Sequence, residues 1–480
     1  TIRGCVFLLS VFTGPVHKKH RRFYMKRKLS FAALLLIICL ISVFGAVATA
    51  CAYSITGLSG TAEDGSVLLS WDEVESADSY TIYWKRSMTG SWKEAGSTSN
   101  TRARVKGLSN GVSYDFYIAS GEERSSSVRL KPSSGRTGEF GSTEDFVADM
   151  GMGINLGNTF DSTGNWFSDT TGQETAWGSP VITKKMIKGY ADGGFGVMRL
   201  PVSWTVLSDK DGNIPDEFMD RIQQVVDWIL DSGMKCILNS HHDGWPEKFT
   251  EDYEGTLKIY ENVWSQVSER FKDYGEDLMF ESMNEVGFDS IWNQYGGTNG
   301  KKEAFDMFNG INQKFVDTVR SSGGNNSQRH LLIASYWTGI DHACCDEFKM
   351  PDDPADRMAI SVHYYTPSTL CILSEDAEWG KARTDWGTAQ DYEELNKYMD
   401  MMEDNFADKG IPVIIGEYGC FGDNKERSIK EQWTLDVAKA AVERGLCPVL
   451  WDTVGDEYDR ELAKFRDPDF IEELISLAKD

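Results

Sequence analysis

The sequence predicts an α/β protein, a (β/α)8 TIM barrel preceded by a small all-β sandwich. Three observations carry this. From about residue 143 to the end, short apolar runs alternate with longer segments of helical period, the signature of βα units around a parallel sheet. From 54 to about 133 the text changes to short alternating strand-like runs separated by polar turns. The chain has 480 residues, 41% hydrophobic and 12% aromatic, enough for more than one core.

The N-terminus belongs to another category. Residues 1–50 hold 8 Lys or Arg and no acid. Met25-Lys26-Arg27-Lys28 is basic, Phe31 to Val47 is an apolar run, and Ala48-Thr49-Ala50 supplies small residues, so 25–50 reads as an export signal. A membrane anchor is the alternative, because the run nears bilayer-crossing length. Lipidation at Cys51 is a third reading, weakened by the missing Leu three residues before it. Residues 1–24 precede Met25 and read as a non-coding or unstructured leader. The expected location is secreted and extracellular, with the cell surface as the alternative, and membrane contact only through an uncleaved signal or lipid. Lys plus Arg is 49 against 74 Asp plus Glu, a net charge of −25. Without the first 50 residues it is 41 minus 74, or −33, which argues against nucleic acid as a partner.

Within 54–133 the clearest strands are Val67 to Trp71, Tyr80 to Trp84 and Ser113 to Ile118. Trp71 as a core Trp and Leu108-Ser109-Asn110-Gly111-Val112-Ser113-Tyr114 as a tyrosine-corner segment resemble a fibronectin type III module. The fold hosts many tasks, so a spacer role is expected ahead of glycan binding. Residues 134–142, rich in Ser and Gly, form the linker, and 143–480 the barrel.

Eight barrel strands are placed at 151–156, 196–200, 234–239, 277–283, 330–335, 358–364, 412–417 and 447–451. Helices are expected at 216–231, 392–409 and 428–444, among others. An open doubly wound sheet is the competing architecture, but no GxGxxG turn follows the first strand, so no nucleotide site is signalled.

Active sites of such barrels are built at the C-terminal ends of the strands. Those ends carry Arg199, then Asn239-Ser240-His241-His242, Asn284-Glu285, His363-Tyr364-Tyr365, Glu417 and Trp451-Asp452. Two carboxylates across a sugar-sized gap are what glycosidic cleavage needs, one as proton donor and one at the anomeric carbon. Arg199 and Tyr365 are expected to hold Glu417 ionised as nucleophile, and Glu285 is expected to have a raised pKa and to act as acid, then base. Asn284 is placed to grip the sugar 2-hydroxyl. His363 and Tyr365, two apart, share a strand face. Trp451 offers a wall for a pyranose ring, with Trp177, Trp204 and Trp245 as further subsite candidates; the chain has 15 Trp.

The cysteines form no CxxC pair, which excludes a zinc knuckle. Cys236, Cys420 and Cys447 lie in or beside apolar runs, and a disulfide among Cys344, Cys345 and Cys371 stays open. His241-His242-Asp243 as metal ligands is the alternative chemistry. Five His follow residue 50 and no His-x-His ends the first strand, so neither metal nor cofactor is expected. His330 and His342 are read as structural.

The strings Gly153-Ile154-Asn155-Leu156-Gly157-Asn158-Thr159, Glu174-Thr175-Ala176-Trp177-Gly178, Arg199-Leu200-Pro201-Val202-Ser203-Trp204, Asn239-Ser240-His241-His242-Asp243, Phe280-Glu281-Ser282-Met283-Asn284-Glu285, Val362-His363-Tyr364-Tyr365 and Ile415-Gly416-Glu417 resemble glycoside hydrolase family 5 from about Thr143 to Asp480. The resemblance implies a retaining endo-β-1,4-glucanase of cellulase type, with Glu285 as acid/base and Glu417 as nucleophile. Arg199, His241, His242, Asn284, His363, Tyr365, Trp451 and Trp177 are expected around the substrate, a plant cell-wall β-glucan, in a monomer. Val286 stands where that family usually has Pro, and Thr453 where it often has Asn, which leaves xyloglucanase, lichenase or mannanase activity open. A catalytically inactive surface glycan-binding protein is the reading from another class.

Overall fold

The computed structural model describes residues 53–63, 66–74, 77–87, 90–108, 112–121, 123–132 and 140–479. The expected leader, export signal and Cys51 lie outside them, as do most of the linker and 109–111 of the segment compared with a tyrosine corner.

Among the described residues, nine strands make two sheets ahead of the barrel. They are β1 (Tyr53–Ile55), β2 (Ser59–Glu63), β3 (Ser66–Ser70), β4 (Tyr80–Arg86), β5 (Lys93–Thr98), β6 (Arg102–Lys106), β7 (Tyr114–Ser120), β8 (Glu123–Ser125) and β9 (Val128–Leu130). One sheet runs β1-β8-β7-β4-β5 with β9 on β7, and the other β2-β3-β6. Alternate residues Tyr80 and Ile82 of β4 and Tyr114, Phe116 and Ile118 of β7 turn inward onto Val67, Leu69 and Trp71. Beyond β9, the Lys131 ammonium bonds the Asp227 carboxylate at 2.9 Å and lies over the Tyr274 ring. Tyr274 precedes a barrel strand, so this contact is at the end of the barrel opposite the strand C-termini.

The barrel strands are β10 (Gly153–Asn155), β11 (Val197–Leu200), β12 (Lys235–Asn239), β13 (Leu278–Glu281), β14 (Leu331–Ala334), β15 (Met358–Tyr364), β16 (Val413–Tyr418) and β17 (Cys447–Leu450). They pair in parallel in chain order, and β17 closes onto β10. Both faces are buried, which is why each strand reads as a continuous apolar run. Val197, Ile237, Met279, Leu332, Ala359, Ile414 and Val449 fill the barrel interior. Their neighbours Met198, Leu238, Phe280, Ile333, Ile360, Ile415 and Leu450 face the surrounding helices. At Gly153 two strands come too close for a side chain: a Cβ there would sit 2.8 Å from both Val197 and Val449.

The helices follow the same economy. Asp216–Asp231, the span the sequence predicts, buries Phe218, Met219, Ile222, Val225, Val226 and Ile229, a single stripe at helical spacing. The short helix Thr143–Ala148 plugs the bottom of the barrel with Phe146 and Val147, and the Ser142 hydroxyl caps it by accepting the Asp145 N–H at 3.0 Å. Phe146 stacks on His330 at 4.1 Å, and the His330 Nδ1 meets the Thr143 hydroxyl at 2.9 Å. Burial pushes His330 down to about 3, so it stays neutral at the dry end of the barrel. Among the described residues no helix is long and apolar enough to cross a membrane.

Candidate active site

Simple alternation along β16 would turn Glu417 toward the helices, because Ile414 faces inward. The pairing with β15 prevents this. Ser361 pairs with Ile414 and Val362 with Ile415, but His363 pairs with Glu417, so Gly416 is an extra residue. This bulge re-aims Glu417 into the barrel and leaves Tyr418 outside against Trp433. A Cβ on Gly416 would lie 3.0 Å from the Ser361 hydroxyl and 3.2 Å from His363 Nε2. Asn155 satisfies the bulge carbonyl, its Nδ2 donating to Gly416 O at 2.9 Å.

Two residues above the apolar interior layer, the same strands carry Asn155, Arg199, Asn239, Glu281 and Ser361, all fully buried. Arg199 joins them. Its Nε donates to Glu281 at 2.6 Å, its Nη1 to Glu417 at 2.7 Å and to Asn155 Oδ1 at 3.1 Å, and its Nη2 to Asn284 Oδ1 at 2.8 Å. Glu281 also accepts the Ser361 hydroxyl at 2.7 Å. A guanidinium with no solvent contact is tolerable only with such partners. Glu281 received no role in the sequence reading. An acid in phase with inward-facing Met279, inside an apolar run, was the signal that it must be paired.

Glu285 lies beyond β13 with φ of 39°, and Trp337 and Thr338 on the next loop have φ of 55° and 46°. These left-handed conformations cost about 1–3 kcal/mol each in non-glycine residues and cluster where function requires a fixed geometry. Trp337 N–H donates to Val286 O at 2.8 Å, linking the two loops.

The two carboxylates meet at His363. Its Nδ1 is 2.9 Å from Glu285 Oε1 and 3.6 Å from Glu417 Oε2, and one oxygen of each carboxylate lies within 4.8 Å of the other. The Tyr365 hydroxyl donates to Glu417 Oε2 at 3.0 Å. Burial, with the Glu417 and Glu285 charges, raises Tyr365 well above the ordinary phenol range, so it keeps that proton. Burial pushes the Glu417 carboxyl up, against the pull of His363 and Arg199. On Glu285 burial also acts upward, but the His363 hydrogen bond and charge outweigh it and hold the carboxyl below its usual value. Both expected directions are therefore reversed in the free protein: burial raises Glu417, which Arg199 and Tyr365 were expected to hold ionised, and Glu285, expected to be raised, is lowered. The reason is where His363 points: its Nδ1 lies 2.9 Å from Glu285 but 3.6 Å from Glu417, so its hydrogen bond goes to the Glu285 carboxylate.

His241 stands 4.0 Å from Glu417 through Nε2. Asn239 Oδ1 takes the Val202 N–H at 3.1 Å, so its Nδ2 donates to His241 Nδ1, also at 3.1 Å. The ring proton then sits on Nε2 and faces Glu417. Burial, with the charges of His242, Arg199 and His363, keeps this imidazole neutral. Trp451 lies parallel to His241, 9° between planes and 5.8 Å between centroids, and Trp177 packs near His242 at 5.6 Å.

A groove of about 440 Å³ opens here, walled by Trp177, His241, His242, Asn284, Glu285 and Trp337. A second hollow of about 270 Å³ adjoins it across Pro246, Glu247 and Trp337. Trp337 carried no sequence signal beyond being aromatic. Trp204 and Trp245, proposed as subsites, are instead fully buried, their indole N–H groups held by Asn239 O and the Ser240 hydroxyl at 2.8 and 2.7 Å. Both pack on apolar neighbours in the helix layer, so they face away from the groove.

Metal-ligating sets are differently composed from the one considered on sequence. Asp243 turns away from His241 to bond Thr205 N and the Ser240 hydroxyl. Asp161 joins His241 and His242 instead, their donor atoms within 4.8 Å. The Asp161 oxygens already accept the Thr159 and Asn158 N–H groups. Cys344 and Cys345 are free thiols directed at the Met401 and His342 carbonyls, so neither pairs with Cys371.

A groove at the C-terminal rim of a (β/α)8 barrel, with aromatic walls, one carboxylate lining it and a second close beside that one on a buried arginine, is the constellation of a glycoside hydrolase. Comparison with known proteins narrows the class. The chain belongs to glycosyl hydrolase family 5, the cellulase family, whose model matches residues 160–457. Endoglucanase A of Ruminococcus albus is 35% identical over 316 residues, covering 65% of this chain and 83% of that protein. Endoglucanase B of Neocallimastix patriciarum is 33% identical over 323 residues, and the match spans 65% of each, just under two thirds of the relative's length. Among solved structures, a broad-specificity endoglucanase from an uncultured bovine rumen ciliate superposes with a TM-score of 0.65 at 35% identity, covering 71% of this chain and 99% of that one. A family 5 lichenase from Caldicellulosiruptor sp. F32, solved as a mutant with cellotetraose, gives 0.65 at 32% identity and covers 73% and 98%.

Proposed function

We propose that the chain is a retaining endo-hydrolase of β-1,4-linked glucans, with Glu417 as nucleophile and Glu285 as acid/base. The separation of the two carboxylates carries this reading. One oxygen of each lies within 4.8 Å of the other, closer than the roughly 6.5–9.5 Å across which an inverting enzyme places its water, and this favours retention.

Glu417 has donors on both oxygens, Arg199 and Tyr365, neither of which gives up its proton, so it is suited to attack the anomeric carbon as a carboxylate. Glu285 is the member in contact with solvent and with His363, so it can reload its proton each cycle. In the first step Glu417 bonds the anomeric carbon while the glycosidic C–O bond breaks and Glu285 protonates the leaving oxygen. In the second, Glu285 takes a proton from water, whose oxygen displaces Glu417 from the sugar. Covering the groove with a sugar chain removes solvent from Glu285, which raises its pKa toward what the acid role needs. Asn284 has its Oδ1 engaged by Arg199, which leaves its Nδ2 for the 2-hydroxyl. His241 and His242 line the same wall, with Trp451 and Trp177 offering faces for pyranose rings.

Following the anomeric protons of the first product by NMR tests the reading. Retention is expected, and an inverted product overturns it. The relatives include endoglucanases and a lichenase, so initial rates on carboxymethylcellulose, lichenan, xyloglucan and glucomannan decide the substrate; β-1,4-glucans are expected to lead. We further propose a secreted monomer without metal or cofactor, and a fibronectin III-like spacer in the two-sheet module, whose attachment lies at the far end of the barrel.

A further inference from the structure

Two segments meet beside the carboxylate pair. One is the turn Ser368–Cys371 and its continuation to Leu373, after β15 and Tyr365; the other, residues 419–425, follows Glu417 on β16. Phe421 N–H donates to the Cys371 carbonyl at 2.8 Å, and the Lys425 ammonium to the Leu373 carbonyl at 2.8 Å. Between these ties the Cys371 and Cys420 thiols are hydrogen-bonded to each other. Cys371 and Cys420 are both free thiols, and the residue after Cys420 bonds directly to the Cys371 backbone, which holds the two side by side as a disulfide requires.

We propose that Cys371 and Cys420 form a disulfide on exposure to a small-molecule disulfide, stapling the loop that carries Tyr365 to the loop that follows Glu417. The two thiols differ in a way that gives the reaction an order. Cys420 keeps 8% of its surface exposed and Cys371 none. The hydrogen bond from Cys371 holds the Cys420 thiol below its usual value, with Lys425 and Lys430 adding to the effect, whereas burial pushes Cys371 up. Cys420 therefore attacks first as thiolate, forming a mixed disulfide and releasing one small thiol. Cys371 then loses its proton and attacks the Cys420 sulfur, releasing the second. The protein gives up two electrons and two protons, and the small disulfide becomes two thiols. Among the described residues, Cys236 and Cys447 have no such thiol neighbour: Cys447 faces Met150 and the Gly151 carbonyl, and burial drives both thiols up. The staple closes a loop of roughly fifty residues, long enough to restrict the unfolded chain substantially.

The test equilibrates the full chain with oxidised and reduced glutathione at graded ratios, alkylates free thiols under denaturing conditions and maps the peptides. The expected result is a Cys371–Cys420 cross-linked peptide, two fewer alkylated thiols than in the reduced protein, and a melting temperature higher by on the order of 5 °C. Full alkylation of both residues at the most oxidising ratio overturns the proposal, as does a link from Cys371 to Cys344 or Cys345. In C420S, and separately in C371S, the melting difference between oxidised and reduced protein must vanish; a difference that persists also overturns it. The wild-type peptide map needs neither variant to fold, and no outcome bears on the hydrolase reading.

Discussion

The two ends of the barrel are built from the same eight strands and differ by one inward-facing layer. At the lower layer Val197, Ile237, Met279, Leu332, Ile414 and Val449 interlock above the Phe146 plug, dry and uncharged. Two residues further along, the strands supply Arg199, Asn239, Glu281 and Ser361, just as buried and almost wholly polar. The lower layer needs only volume and apolarity, so it tolerates exchange of similar shapes. The upper layer must match each donor to an acceptor, because every unpaired buried group costs about 1–3 kcal/mol and a lone charge more. Stability is concentrated in one layer and chemistry in the other, two residues apart on the same strands.

That contrast can be broken at several points. The largest effect is expected at Glu417: E417Q should lower kcat by on the order of 10⁴-fold or more while leaving the melting temperature nearly unchanged, by single-turnover kinetics and calorimetry. A retained rate would remove Glu417 from the chemistry. E285Q should cost about 10²–10⁴-fold with natural glucans and much less with an aryl glycoside whose leaving group needs no proton; equal losses on both would deny it the acid role. Glu281→Ala should act on both sides of the comparison. It leaves Arg199 half-paired in the interior, so unfolding free energy should fall by about 3–5 kcal/mol, and kcat/KM should fall with it. Leu332→Ala in the lower layer should cost about 2–5 kcal/mol and leave the kcat of the folded protein unchanged. A matching loss of kcat would mean the layers are coupled.

The smallest and most diagnostic change concerns pH. His363 holds the Glu285 carboxyl below its ordinary value, by hydrogen bond and charge. In H363N that support for the carboxylate is gone, so Glu285 keeps its proton to higher pH. The basic limb of kcat/KM should therefore move up. A limb that stays put or moves down would show that Glu285 does not set it.

Much of this was legible beforehand because parallel strands and amphipathic helices leave strong periodic marks. The helix Asp216–Asp231 matches its apolar stripe residue for residue, and every boundary of the eight barrel strands falls within two residues of the expected one. The polar residues at the strand ends were visible because they interrupt apolar runs. Trp204 and Trp245 misled, since an indole near a strand end reads the same whether it faces a groove or the helix layer. The proton balance of Glu285 and Glu417 was also out of reach, because it depends on where His363 points and how much solvent each carboxyl keeps.

What the sequence determined by itself was the order of elements, the edge of the barrel bearing the polar residues, and their identity, because local periodicity and residue chemistry are properties of short stretches. What only the tertiary structure decided was direction. By alternation Glu417 belongs on the helix side of β16, and it enters the barrel because Gly416 bulges against β15. Arg199 selects Glu281, Glu417, Asn284 and Asn155 from four different segments, a choice made by the distances between strands. Register and burial are relations between segments far apart in the chain, and no single stretch of sequence records them.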